Sequence, residues 1–326
     1  MNTHSYHSID LSKHTFLVTG GAGFIGSNIV EYLVKNNAGK VTVLDNLATG
    51  SFNNISQYKR SSGFEFIEGD IRDLEICRRC CQGIDYVSHQ AALGSIPRSI
   101  RDPHYTHAVN STGFLNMIIA ARDAGGKRFI YASTSSIYGD HPGIPKREEE
   151  TGNPLSPYAA SKKTNELYAK VFADTYNMEV VGLRYFNVFG PNQSPEAQYA
   201  AVIPLFIQSL IENKPPFIDG DGEQTRDFTF VENVVQANIK AMLTTNPEAL
   251  NRVYNVAIGE RISVNGLFKE LAALVKSNLK PIHRDPRLGD IRDSVADVSS
   301  AKKLLGYEPA IRLTEGLDLT IEWIRK

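Results

Sequence analysis

Cysteine is scarce in this chain of 326 residues: three occur, all within CRRCC, at Cys77, Cys80 and Cys81. No second cysteine pair and no histidine cluster accompanies them, so neither a zinc site nor a disulfide framework is supported. They read as small thiols on a helix, in keeping with a reducing cytoplasm. Neither sign of charge dominates, with 35 basic against 36 acidic residues and a formal net charge of −1. That balance gives no sign of a nucleic-acid or membrane partner. Long apolar runs are missing too, and none approaches the ~18–20 residues that cross a bilayer. The opening MNTHSYHSIDLSKH lacks a basic start followed by an apolar core, so no signal peptide is expected. Internal repeats and low-complexity tracts are absent. The expectation is a soluble, cytoplasmic protein long enough for two domains.

What is present is alternation. TFLVTG, KVTVLD, FEFIEGD, DYVSHQA, RFIYAST and EVVGLRYF read as buried strands. Helical patterns such as NIVEYLVKN and STGFLNMIIAARDAG lie between them. This predicts an α/β fold, a doubly wound parallel sheet of Rossmann type covered on both faces. After Asn187 the pattern loosens. Helices are expected at VIPLFIQSLIEN, VENVVQANIKAMLT, VNGLFKELAALVKS and SSAKKLLG, and loops at GDGEQTRDF and HRDPRLGDIRDS. The expected domains are 1–186, a nucleotide-binding unit that also receives part of 228–258, and 187–326, a smaller mixed α/β substrate lobe.

TFLVTGGAGFIGSNIVEYL joins a strand to a helix through glycines, with Gly20, Gly23 and Gly26 spaced three apart. In such a turn one glycine permits the bend, one lets a pyrophosphate approach the backbone, and one lets the helix pack on the sheet. Free N–H groups at the helix start then face the phosphates. Asp45 ends the next strand 19 residues beyond Gly26. A carboxylate there suits the ribose hydroxyls of NAD and repels the 2′-phosphate of NADP. Asp70, closing FIEGD, is a candidate near the adenine, or an ordinary strand-end cap.

SPYAASKK puts Tyr158 one helical turn before Lys162. Residues at i and i+4 face each other about 5–6 Å apart at Cβ. A phenol with a pKa of ~10 needs a drop of ~3 units, or ~4 kcal/mol, to act as a base near neutrality. Two charges at ~4 Å gain only ~1 kcal/mol in water but ~4 kcal/mol at an effective dielectric of ~20. The lysine can therefore activate the tyrosine only in a partly desolvated cleft.

The glycine turn together with Tyr-x-x-x-Lys resembles the extended short-chain dehydrogenase/reductase superfamily, from Phe16 to about Tyr307. The resemblance implies a catalytic hydroxyl at the end of the fifth predicted strand, in YASTSSIYGD. That position is Thr134, flanked by Ser133, Ser135 and Ser136, with Ser135 able to serve instead. It further implies that Tyr158 takes the sugar proton while Lys162 lowers its pKa and binds the nicotinamide ribose. Implied NAD contacts are Gly20, Gly23, Phe24, Ile25, Gly26, Asp45, Asn46, Thr49, Gly50, Asp70 and Ile71. Beyond these the same resemblance adds Gln90, Ala91, Ala92, Asn110, Ser133, Tyr158, Lys162, Tyr185 and Val188.

Members acting on nucleotide sugars also resemble this chain at LRYFNVFGP, GDGEQTRDF and PRLGDIRDS. These segments imply that Asn187 and the guanidiniums of Arg226 and Arg287 meet the substrate's diphosphate portion, with Asp290 also among the substrate contacts, although such arginines are often solvated loop charges. Sugar dehydratases of the family carry an acid pair directly after the threonine, and decarboxylating relatives a glutamate two places on. Ser135-Ser136 supplies neither, which favours 4-epimerisation through a transient 4-keto sugar with no net redox change. HQAALGSIPRSIRDP, LSPYAASK and YAAVIP resemble segments of bacterial UDP-N-acetylglucosamine 4-epimerases. Gly94, Ser95, Ser135, Ser136, Ala201 and Val202 are then expected near the UDP-sugar. Ser294 stands where relatives restricted to glucose and galactose carry tyrosine, leaving room for an acetamido group unless it merely begins a loop. Plain UDP-glucose and a uronic acid met by Arg98 or Arg292 stay open, as do a dehydrogenase that releases NADH and a silent dinucleotide sensor. The family implies a homodimer built on a four-helix bundle, with MIIAARDAG and ELYAKVFADTY as contributors.

Overall fold

Seven short apolar segments form one all-parallel sheet in a computed structural model that describes residues 5–194, 201–286 and 292–325. They are β1 (Thr15–Thr19), β2 (Lys40–Asp45), β3 (Phe64–Glu68), β4 (Tyr86–His89), β5 (Arg128–Thr134), β6 (Val180–Tyr185) and β7 (Arg252–Val256). Their order is β7-β6-β5-β4-β1-β2-β3, so the direction of winding reverses between β1 and β4. A crevice opens at such a switch point, beyond the carboxyl ends of the strands. Side chains alternate cleanly between the two faces. On β1, Phe16 and Val18 join one core cluster and Leu17 the other; on β5, Ile130 and Ala132 oppose Phe129 and Tyr131.

Helices cover both faces. On one lie α1 (Phe24–Lys35) and, from much later in the chain, the helix Val231–Leu243, which packs on α1. On the other lie α2 (Leu74–Cys81), α3 (Gly113–Asp123) and α4 (Pro157–Tyr176). Cys77, Cys80 and Cys81 are buried free thiols of α2, raised in pKa first by burial. The helix expected from Ser111 instead begins as Pro103–His107 and passes through a π-type turn, Ala108–Thr112, before α3. Such a turn marks a local demand. Here it brings Asn110 to Leu93 and to Ser161 of α4.

The smaller lobe carries helices Val202–Ile211, Val264–Val275 and Leu313–Ile324 around their own apolar cluster, with short strand pairs beside them. Leu313–Ile324 lies beyond the helices expected from sequence, and GDGEQTRDF contains a two-residue strand, Thr225–Arg226, rather than loop alone. Among the described residues no helix is long and apolar enough to cross a membrane.

One histidine is built into the sheet. His89 is 1% exposed, packs on Phe114 and Phe129, and its Nδ1 lies 2.8 Å from Thr19 Oγ1. Burial, followed by the charge of Lys162, lowers its pKa from 6.5 to about 3. The unfolded chain therefore binds this proton at a higher pH than the native one, and His89 removes stability as pH falls from about 6.5 towards 3. Urea unfolding at pH 4.5 and pH 7 is expected to differ less in His89→Gln than in the parent, by about 2 kcal/mol. An undiminished gap would place the acid sensitivity elsewhere.

Candidate active site

The glycine turn is closed by backbone contact rather than side chains. Gly20 has φ +66°, and a Cβ on Gly26 would stand 2.1 Å from the Gly20 carbonyl oxygen. Only glycine at position 26 lets α1 approach the turn this closely. Gly23 caps α1 with no side-chain hydrogen bond, so the first N–H groups of Phe24, Ile25 and Gly26 are left for a ligand. Asp45 closes the next strand over this turn. Its carboxylate accepts from Ala22 N at 2.9 Å and Leu47 N at 2.8 Å, while burial pushes its pKa up.

The turn opens into a cleft of about 1240 Å³. Its far wall carries Thr134, at the carboxyl end of β5, with Tyr158 and Lys162 one turn apart on α4. Pro157 starts α4 and Ser156 caps it, its side chain accepting from Ala159 N at 3.1 Å. Burial raises the Tyr158 phenol above its ordinary value, and the neighbouring Thr134 side chain pulls against that rise. The lowering expected from Lys162 is not what the polypeptide by itself produces. Lys162 is 3% exposed, burial lowers it to about 8, and its Nζ is turned to the Ala132 carbonyl at 2.9 Å. An ammonium has three donors, so this one bond leaves capacity for hydroxyl groups in the cleft.

A second layer holds that wall. Ser133 Oγ donates to Glu166 Oε1 at 2.7 Å, and Arg184 forks onto both Glu166 oxygens at 2.8 Å each. Glu166 is one turn beyond Lys162 on α4, whereas Arg184 stands on β6. Tyr138 accepts from Arg184 Nη1 at 3.0 Å and donates to Asn255 Oδ1 of β7 at 2.6 Å. Sequence reasoning gave no role to Glu166, Arg184, Tyr138 or Asn255; the i+4 spacing of Glu166 from Lys162 is the one signal it held.

Most of the expected residues line this cleft: Gly20, Gly23, Phe24, Ile25, Gly26, Asp45, Asn46, Thr49, Ile71, Gln90, Ala91, Ala92, Ser133, Thr134, Ser135, Ser136, Tyr158, Lys162, Tyr185, Asn187, Val188, Gly94, Ser95 and Ala201. Others do not line it. Gly50 packs on the backbone of Ala22 behind the turn. Asp70 lies off the cleft, its carboxylate taken by Arg72 N, Nε and Nη2 and by Asn46 Nδ2 at 2.7–3.0 Å. Those donors fill its acceptor sites and hold its pKa at about 2. Asn110 is occupied by the Leu93 backbone and Ser161. Val202 turns away while its neighbours Ala201 and Leu205 face the cleft. Arg226 lines a separate hollow of about 230 Å³ with Phe228, Arg261 and Arg312, and its Nη1 donates to the Thr225 carbonyl at 2.8 Å. Ser294 lies beside Thr225, to which its N–H donates at 3.2 Å, and does not line the cleft. Arg287 and Asp290 lie outside the described residues.

Replacing Glu166 by alanine would strand a buried guanidinium whose side chain is 3% exposed. A loss of about 3 kcal/mol in denaturant-derived stability is expected. Ser133→Ala, which removes one hydroxyl bond, is expected to lose about 1 kcal/mol. Equal losses in the two variants would contradict the pair as the dominant contact.

A family model described as "NAD dependent epimerase/dehydratase family" matches residues 16–257. A Methanocaldococcus jannaschii protein described as a putative UDP-glucose 4-epimerase is 37% identical over 311 residues, covering 95% of this chain and 98% of its own. The solved structure of a UDP-N-acetylglucosamine 4-epimerase from Methanobrevibacter ruminantium, in complex with UDP-N-acetylmuramic acid, is 38% identical. It superposes with a TM-score of 0.91 over 96% of this chain and 98% of that one. A Thermotoga maritima UDP-glucose 4-epimerase with UDP-glucose is 37% identical, with a TM-score of 0.89 over 95% of this chain and 98% of that one. NAD is the cofactor of this group, and the Gly26 cradle, the uncapped start of α1 and the spare donors of Lys162 fit it. On the strength of the matched model and these relatives, this chain belongs to the NAD-dependent epimerase/dehydratase family.

Proposed function

We propose that this protein is a UDP-N-acetylhexosamine 4-epimerase, interconverting UDP-GlcNAc and UDP-GalNAc. The observation that carries the reading is the charge of the cleft. Among the described residues lining it, Asp45 is the only carboxylate, and it sits in the glycine turn. Thr134 is followed by Ser135 and Ser136, so no acid stands at the reacting end to expel water or a hydroxyl. A single base remains, as epimerisation requires.

NAD held by the glycine turn, Asp45 and Lys162 supplies a reversible hydride acceptor at the sugar C4. Tyr158 Oη takes the proton of the 4-hydroxyl and returns it when the epimeric hydroxyl forms. Thr134, on the same wall of the cleft as the phenol, shares that oxygen and fixes its direction. Lys162 donates to ribose hydroxyls, and its charge favours the phenolate in a cleft where burial alone opposes it. That charge is present below about pH 8 and is lost above it, so the phenolate loses support as pH rises.

The similar proteins are described with both UDP-glucose and UDP-N-acetylmuramic acid, so the sugar is argued from this cleft. Gly94 and Ala201 line it, and a Cβ built on Gly94 meets nothing within 4 Å among the described residues. That open space, rather than Ser294, supports an acetamido substituent.

With UDP-GlcNAc alone, purified protein is expected to form UDP-GalNAc with no added NAD and no accumulating NADH; accumulation of NADH would identify a dehydrogenase instead. Parallel product analysis on UDP-Glc and UDP-GlcNAcA tests the sugar. Tyr158→Phe is expected to lower turnover at least ~100-fold while keeping NAD bound. Ala201→Leu is expected to reduce turnover of UDP-GlcNAc about tenfold more than that of UDP-Glc. Equal loss on both sugars would remove Ala201 from the acetamido site.

A further inference from the structure

At the β2–β3 end of the cleft three separate segments meet. Asn46 follows β2, Ile71 and Arg72 follow β3, and Tyr105 stands on the short helix Pro103–His107. Asn46, Ile71 and Tyr105 line the cleft there. Arg72 joins the three. Its Nε donates to Asp70 Oδ1 at 3.0 Å and its Nη2 to Asp70 Oδ2 at 2.7 Å, while Asn46 Nδ2 reaches the same Oδ2 at 2.9 Å. The guanidinium carbon lies 5.1 Å from the centre of the Tyr105 ring, within cation–π range.

One arm of this arrangement is rigid. The Ile71 carbonyl accepts from Asn116 Nδ2 at 3.0 Å and from Cys77 Sγ at 3.3 Å, and the Arg72 carbonyl accepts from Asn116 Nδ2 at 2.9 Å. Asp70 then fixes the direction of the guanidinium plane. The other arm is the half-buried Tyr105 ring, packed against the cluster that contains Ile71. A guanidinium plane and a phenol ring both stack on flat heterocycles.

We propose that Arg72 and Tyr105 form a clasp that closes this end of the cleft over the adenosine half of NAD and slows its release. Asp70 and Asn46 are positioning residues for the clasp rather than contacts to the base. The proposal rests on NAD as cofactor and is independent of which sugar is turned over.

The test follows NAD retained by NAD-loaded protein during timed dialysis, read as nucleotide liberated by acid. Arg72→Ala and Tyr105→Leu are each expected to release NAD about tenfold faster than the parent. The double variant is expected to match the faster single variant, because either change opens the same clasp. Tyr105→Phe keeps the ring and is expected to retain NAD like the parent. Should Arg72→Ala fail to fold, Arg72→Gln keeps donors to Asp70 without the charge and is expected to release NAD equally fast. Unchanged retention in the single variants, effects that multiply in the double variant, or leakage from Tyr105→Phe equal to that from Tyr105→Leu would each overturn the clasp.

Discussion

A buried guanidinium–carboxylate pair, Arg184 with Glu166, sets the frame on which the reacting groups stand. Both partners lose hydration, and only excellent geometry offsets that cost. The fork from Arg184 meets both carboxylate oxygens, Ser133 adds a third bond, and Arg184 Nη1 donates to Tyr138 and to the Glu148 carbonyl. The pair ties α4 to β6 across Ser133, the residue before Thr134. Tyr158 and Lys162 lie on the same helix, two turns and one turn earlier respectively. Their distance from the end of β5 is therefore fixed by a contact that never faces the cleft.

Desolvation acts on every ionisable group around the reacting centre. It raises Tyr158, lowers Lys162 to about 8 and lowers His89 to about 3. These shifts oppose the charged form in each case. A protein that must hold a phenolate there cannot rely on one lysine against burial. On the proposed mechanism, the hydroxyl of Thr134 and the positive charge of an oxidised nicotinamide would make up the difference, tying proton removal to the cofactor.

The features legible from sequence were local ones. Strands β1 to β6, the glycine turn and the Tyr158–Lys162 face each follow from spacing within one or two elements. Strand β7 was not legible, because RVYNV gains its place only by pairing with β6 some seventy residues earlier. The surroundings of Asp70 were not legible for a related reason: spacing cannot show that Asn46 and Arg72 bond its oxygens. Asn110, just before the expected helix, falls in a π-type turn that brings it to Leu93 and Ser161, neither adjacent in sequence. The smaller lobe was the least legible, since Arg226 and Ser294 are placed by short strand and bridge pairings whose partners lie far along the chain.

Strand β7 also governs the order in which this chain can be completed. Asn255 holds Tyr138 and the carbonyls of Lys146 and Asp297, so the backing of Arg184 depends on a residue made 71 positions later. During synthesis on a ribosome, β6 is an open sheet edge until Val256 has left the exit tunnel. An unpaired parallel edge of that kind is a template for mispairing. A chain cut after residue 186 would keep the glycine turn, Tyr158 and Lys162, yet expose that edge permanently.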